Sequence, residues 1–182
     1  MVKTGLVIGR FQPFHNGHEY LVLEALKDGC DRIIIGIGSA EKCYSPDNPF
    51  TGGERVEMIY QWAKDKNILD KVLIIPLRNV DRWSIWVKHV LSLIPPVDMV
   101  YIGDNEGVIK LFRMEGMKIK EMGRQKGISA TIIRQGLKDF DGMTDAEKLT
   151  SLVLYRPKDK VLEMIPMAIY KYLESIDYQW RL

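Results

Sequence analysis

Gly5-Leu6-Val7-Ile8-Gly9-Arg10-Phe11-Gln12-Pro13-Phe14-His15-Asn16-Gly17-His18 is the stretch whose reading decides the fold. Its first residues, 5–9, are a short apolar run that reads as a buried strand. The residues that follow it, Glu19-Tyr20-Leu21-Val22-Leu23-Glu24-Ala25-Leu26, read as a helix. Residues 10–18 therefore form a strand–loop–helix junction, the place where parallel α/β sheets present ligand groups. Side chains three apart on a helix share a face, so His15 and His18 can address one object. Asn16 followed by Glu19 has the form of a capping box. The first-turn N–H groups and the helix dipole favour an anion there. Arg10 adds an always-charged fork suited to phosphate. Pro13 stiffens the loop, and Gly17 leaves room for a ligand beside the backbone. Together these parts suggest a polyphosphate cradle.

A His-x-x-His pair is also half of a zinc site. Zinc needs a third and usually a fourth ligand. The remaining candidates, His89, Cys30 and Cys43, are scattered without ligand spacing, so no metal ligation by the protein is expected.

Working outward, the 182 residues carry 46% hydrophobic and 27% charged side chains, ordinary for one globular domain with a full core. A net charge of +2 gives no case for nucleic-acid binding. No apolar run is long enough to span a membrane, Met1-Val2-Lys3 enters a strand rather than a signal peptide, and two cysteines make no disulfide framework. A cytoplasmic protein is expected. Residues 1–182 read as a single domain, with residues 139–182 as a helical C-terminal extension.

Residues 31–38 form a second apolar strand, continuous enough for burial on both faces. An irregular stretch, residues 39–50, follows; loops of that length are usually functional or mobile. Thr51-Gly52-Gly53-Glu54 is a second capping box, opening a helix with Val56, Ile59, Tyr60 and Ala63 on its inner face. Arg55, off that stripe, is equally a solvated charge or a ligand. Residues 71–76 form a third strand, and residues 78–82 a polar loop. Trp83, Trp86, Val87, Val90, Leu91 and Ile94 then make a helical stripe on which Trp86 reads first as core. Residues 98–102 make a fourth strand, and Asp104 is placed to cap the next helix. Residues 117–121 form a short fifth strand. In Ile128-Ser129-Ala130-Thr131-Ile132-Ile133-Arg134, either Ser129 or Thr131 can cap a helix. Residues 144–154 are a helix candidate, and Pro166 opens a last helix whose stripe is Ile169, Tyr172, Leu173 and Ile176. Strand–helix alternation gives an α/β, doubly wound parallel sheet of about five strands.

Gly9-Arg10-Phe11-Gln12-Pro13-Phe14-His15-Asn16-Gly17-His18 resembles the signature of the HxGH nucleotidylyltransferase superfamily and, more narrowly, of the archaeal-type nicotinamide-mononucleotide adenylyltransferases. The likeness covers about three quarters of the chain. Residues 38–40 and 48–55 are similar to the family's Gly-Ser-Ala … Pro-Phe-Thr-Ala-Gly-Glu-Arg segment near the nucleotide phosphates. Residues 79–81 and 84–87 resemble the segment that holds the nicotinamide nucleotide, where a tryptophan stacks on the pyridine ring. That implies a ligand platform at Trp86 and leaves Trp83 undecided. The family's Ile-Ser-Gly-Thr-Glu-Ile-Arg phosphate motif is matched with Ala130 for glycine and Ile132 for glutamate, the latter removing a capping box.

The resemblance implies a Rossmann-like fold and adenylyl transfer from ATP to nicotinamide mononucleotide, giving NAD and pyrophosphate. It implies catalysis by His15, His18 and Arg10. It further implies ATP contacts from Gly9, Arg10, Phe11, His15, His18, Gly103, Ser129, Thr131 and Arg134, and acceptor contacts from Ser39, Asn79, Asp81 and Trp86. Mg2+ would be held mainly by the ATP phosphates, and a homo-oligomer, often a hexamer, is implied. Other phosphate-monoester acceptors (phosphopantetheine, a flavin precursor), CTP as donor, or a catalytically silent nucleotide-binding protein are the competing readings.

Overall fold

A computed structural model describes residues 2–123, 127–141 and 163–176. The strands are β1 (Thr4–Gly9), β2 (Arg32–Ile37), β3 (Val72–Pro76), β4 (Met99–Ile102) and β5 (Ile119–Glu121). They form one parallel sheet in the order β3-β2-β1-β4-β5, in which Val7 pairs with Ile35 on one side and Tyr101 on the other. The order reverses at β1, so a crevice opens beyond the carboxyl ends of β1 and β4, where such sheets bind ligands.

The described helices are α1 (Asn16–Lys27), α2 (Gly52–Asp65), α3 (Trp83–Ser92), α4 (Glu106–Met114), α5 (Ala130–Asp141) and α6 (Met167–Ser175). Side chains alternate across each strand and so feed two cores. Val7, Ile33, Ile35 and Ile37 meet α1, α2, α5 and α6, with Trp62 and Phe14 fully buried among them. Leu6, Ile34, Val100 and Ile102 meet α3 and α4 through Val87, Val90, Ile109 and Phe112. Each fully buried Ile or Leu stabilises the fold by roughly 1.5–3 kcal/mol relative to exposure. This is the Rossmann-like architecture expected from the alternation of elements.

The stripe on α3 departs from its reading at one end. Val87 and Val90 are buried, but Trp83, in the first turn of α3, is 69% exposed and lines the crevice. The described part of the C-terminal extension packs against the first core. Ile169, Tyr170 and Leu173 of α6 are buried in the first core, with Pro166 at the N-cap. The helix candidate at residues 144–154 lies outside the described residues. No described helix is long and apolar enough to cross a membrane.

Candidate active site

The loops after β1, β2, β3 and β4 and the start of α5 surround one cleft of about 540 Å³, within the range of small-ligand sites. From the β1–α1 turn, Gly9, Arg10, Phe11, His15 and His18 line it.

The N-cap of α1 is His15, in extended conformation, not Asn16. The His15 main-chain N–H donates to His18 Nδ1 at 3.2 Å. Nδ1 is thus an acceptor, and a neutral His18 carries its proton on Nε2. Burial, and after it the charge of His15, holds the His18 pKa well below 6.5, so the ring is a neutral donor near pH 7. The two imidazoles stack with centroids 3.6 Å apart, and Phe11 meets His18 edge-on at 4.7 Å. Gly17 lines the cleft, and its lack of a side chain also makes room for the His15 ring. A Cβ there would sit 3.0 Å from the His15 ring. Asn16 instead reaches the far end of the chain: its amide donates to the Glu163 carbonyl at 2.7 Å, and its N–H to that of Met164 at 2.8 Å.

Ser39 lines the cleft from the β2–α2 loop. The Thr51–Glu54 capping box forms as expected, with Thr51 N–H to Glu54 Oε2 at 2.8 Å and Glu54 N–H to Thr51 Oγ1 at 3.2 Å. Arg55 is neither solvated nor in the cleft. It is fully buried, and its guanidinium donates to six main-chain carbonyls, those of Arg10, Gly38, Ser39, Ala40, Lys42 and Thr51.

From α5, Ser129, Ala130, Thr131 and Arg134 line the cleft. Ser129 is the cap, its Oγ accepting from Ile132 N–H at 3.2 Å. Half of the capping arrangement therefore survives without glutamate at 132. Ala130 opens the helix, a conformation that suits a Cβ. Arg134 is buried, with Nη1 donating to the Gln12 carbonyl at 2.9 Å and Nη2 3.3 Å from Asp47 Oδ1. Gln12 in turn makes paired bonds with the main chain of Phe50, both at 2.9 Å, and Arg10 donates to Asn48 Oδ1 at 3.3 Å. Gln12, Asp47 and Asn48 thus belong to the site's framework, and no periodicity in the sequence marks them.

Asn79, Trp83 and Trp86 line the opposite end. Trp86 Nε1 donates to Asn79 Oδ1 at 3.1 Å and its ring meets Phe112 edge-on at 5.7 Å, leaving the indole partly buried at the cleft wall. Trp83 stands at the rim, 6.3 Å from Trp86 between centroids. Asp81 does not line the cleft. It lies on the exposed bend leading into α3. Gly103 borders the cleft with open space where a Cβ would stand. Asn105, rather than Asp104, caps α4 by accepting from Val108 N–H at 3.2 Å, and Asp104 is left facing the cleft.

One end of the cleft thus offers two imidazoles, a helix N-terminus and two guanidiniums, a set that neutralises anionic oxygens. The other offers a flat indole. Among the described residues, no group of three or more His, Cys, Asp or Glu is placed to cage a metal.

A cytidylyltransferase-like family model matches residues 6–136. Over 136 residues the chain is 42% identical to the nicotinamide-nucleotide adenylyltransferase of Methanolobus tindarius, covering 74% of this chain and 76% of that one. It is 47% identical over 116 residues to the enzyme of the same name from Archaeoglobus fulgidus, covering 62% and 66%. Its fold is similar, with a TM-score of 0.65 and 25% identity, to a bifunctional NMN adenylyltransferase/ADP ribose pyrophosphatase from Francisella tularensis solved with AMP and a manganese ion, covering 98% of this chain and 51% of that one.

Proposed function

The chain belongs to the cytidylyltransferase-like family and, within it, to the nicotinamide-nucleotide adenylyltransferases, and from that premise we infer that it joins ATP and nicotinamide mononucleotide to give NAD and pyrophosphate. The observation that carries this reading is the convergence of His15, His18, Arg10, Arg134 and the α5 N-terminus on one cleft whose other end presents Trp86.

An oxygen of the acceptor's 5′-phosphate attacks the α-phosphorus of ATP in line. A P–O bond forms as the bond to pyrophosphate breaks. The attacking oxygen is already ionised, so no protein base is needed, and catalysis rests on positioning and on neutralising charge. His18, a neutral Nε2–H donor, and His15 act on the α-phosphate oxygens. Arg10, Arg134 and the Ser129-capped helix take the β- and γ-phosphates. Gly9, Phe11 and Gly103 leave space for the adenosine, and Thr131 lies at its phosphate side. Trp86, oriented by Asn79, stacks on the electron-poor pyridine ring, with Ser39 between the two ends. Mg2+ enters as part of the ATP substrate, held by phosphates and water rather than by a carboxylate cage. Assembly as a homo-oligomer belongs to the same reading.

The test is incubation with ATP, magnesium and a panel of phosphorylated acceptors, with product identified by mass. NAD as the dominant product supports the inference. A product built on phosphopantetheine or a flavin precursor would replace the acceptor, and no pyrophosphate above background would leave only nucleotide binding.

A further inference from the structure

We propose, resting on that reading of the cleft, that Arg55 is a positioning residue: it holds two peptide groups in a reversed orientation that turns their N–H groups toward the nucleotide phosphates. Phe11 and Ser39 both adopt the left-handed backbone region, with φ of 50° and 49°. Non-glycine residues rarely enter that region, bulky ones least, and they persist there only where the surroundings over-determine the conformation. The carbonyl immediately before each of them, Arg10 O and Gly38 O, accepts from the same Arg55 Nη1, at 2.9 and 3.2 Å. The angle φ sets the direction of the preceding carbonyl, so the unusual backbone and the hydrogen bond are one feature. In a trans planar peptide the N–H lies opposite the C=O. The N–H groups of Phe11 and Ser39 therefore point away from Arg55, and both residues line the cleft.

The remaining bonds fix the same loop. Nη2 takes the carbonyls of Ser39, Ala40 and Lys42 at 3.1–3.2 Å. The loop lies so close to α2 that a Cβ at Gly52 would stand 2.8 Å from the Ala40 carbonyl. A rigid fork of five N–H donors meets this set of acceptors, whereas an ammonium has three donors and no fork.

The experiment uses Arg55→Met and Arg55→Lys, each also combined with Ser39→Gly. Folding is followed by circular dichroism and melting, binding by calorimetry with a non-hydrolysable ATP analogue, and turnover by NAD formation. Arg55→Met is expected to weaken the analogue and lower kcat by about 10²-fold, as misplaced reacting groups do. Glycine adopts left-handed φ without a steric penalty, so in the Ser39→Gly background the loss shrinks by at least about threefold. An equal loss in both backgrounds overturns the proposal. So does binding by Arg55→Met within about threefold of wild type, or failure of both Arg55 variants to fold, which would make the residue structural alone. The binding arm reads the role of Arg55 even if the wild-type protein forms no NAD, so the two readings fail separately.

Discussion

At the end of the cleft formed by the β1–α1 turn and α5, polar groups are held by buried partners: His18 by the His15 main chain, Arg134 by the Gln12 carbonyl, the loop carbonyls by Arg55. At the end formed by α3, one indole has a single hydrogen bond to Asn79 and the other stands 69% exposed at the rim. The contrast matches the division of labour. The end proposed to meet developing charge is preorganised, because donors that must reorient during reaction lose their advantage. The end proposed to meet a flat ring would use stacking, which tolerates small displacements.

This contrast predicts that damage at the first end appears in kcat or in ATP affinity, and damage at the second in the acceptor KM. The largest effect is expected for His18→Ala, with kcat down by at least about 10²-fold; steady-state turnover within about threefold of wild type would break the contrast. Arg134→Lys should raise the ATP KM on the order of tenfold and leave the acceptor KM nearly unchanged, because a point charge cannot serve both Gln12 and a phosphate with a planar fork. Equal changes for both substrates would place Arg134 outside the phosphate end. Trp86→Ala should raise the acceptor KM about tenfold with ATP unaffected, while Trp83→Ala changes it by only about twofold, since an exposed ring contributes little. If the rim tryptophan mattered more, the looser end would close over its ligand.

The smallest effect is on stability. Below 6.5 the unfolded chain protonates at position 18 while the folded chain, with its lowered pKa, does not. Folded-state stability therefore falls as pH drops through the window between 6.5 and the folded value, and is fully present above it. Melting curves of wild type and His18→Asn across that window should converge toward low pH.

The sheet and the His-bearing turn were legible in the sequence because both are local signals. Apolar runs mark the strands, and two histidines three apart mark a shared face. Residues 128–134 were legible through the family resemblance, and their departures are absorbed as Ser129 caps the helix and Ala130 takes a helical position. Arg55 was not legible, since its partners lie as far as 45 residues away and are carbonyls, which every residue possesses. The capping boxes show the limit from both sides. Thr51–Glu54 forms as read, yet at α1 the chain enters one residue earlier and a histidine takes the cap that Asn16 was expected to fill. Spacing gave Trp86 the right helix, but helical periodicity does not say where the core ends, so the exposure of Asp81 and Trp83 was not legible.

The two bonds from Asn16 to the carbonyls of Glu163 and Met164 join segments 147 residues apart along the chain. During synthesis, a nascent chain that has formed every strand of the sheet still lacks the partners for this residue, which sits between the two histidines. The turn that carries His15 and His18 is thus tied to the far side of the sequence, and removing residues 163 and 164 would take away both carbonyl partners of Asn16 there.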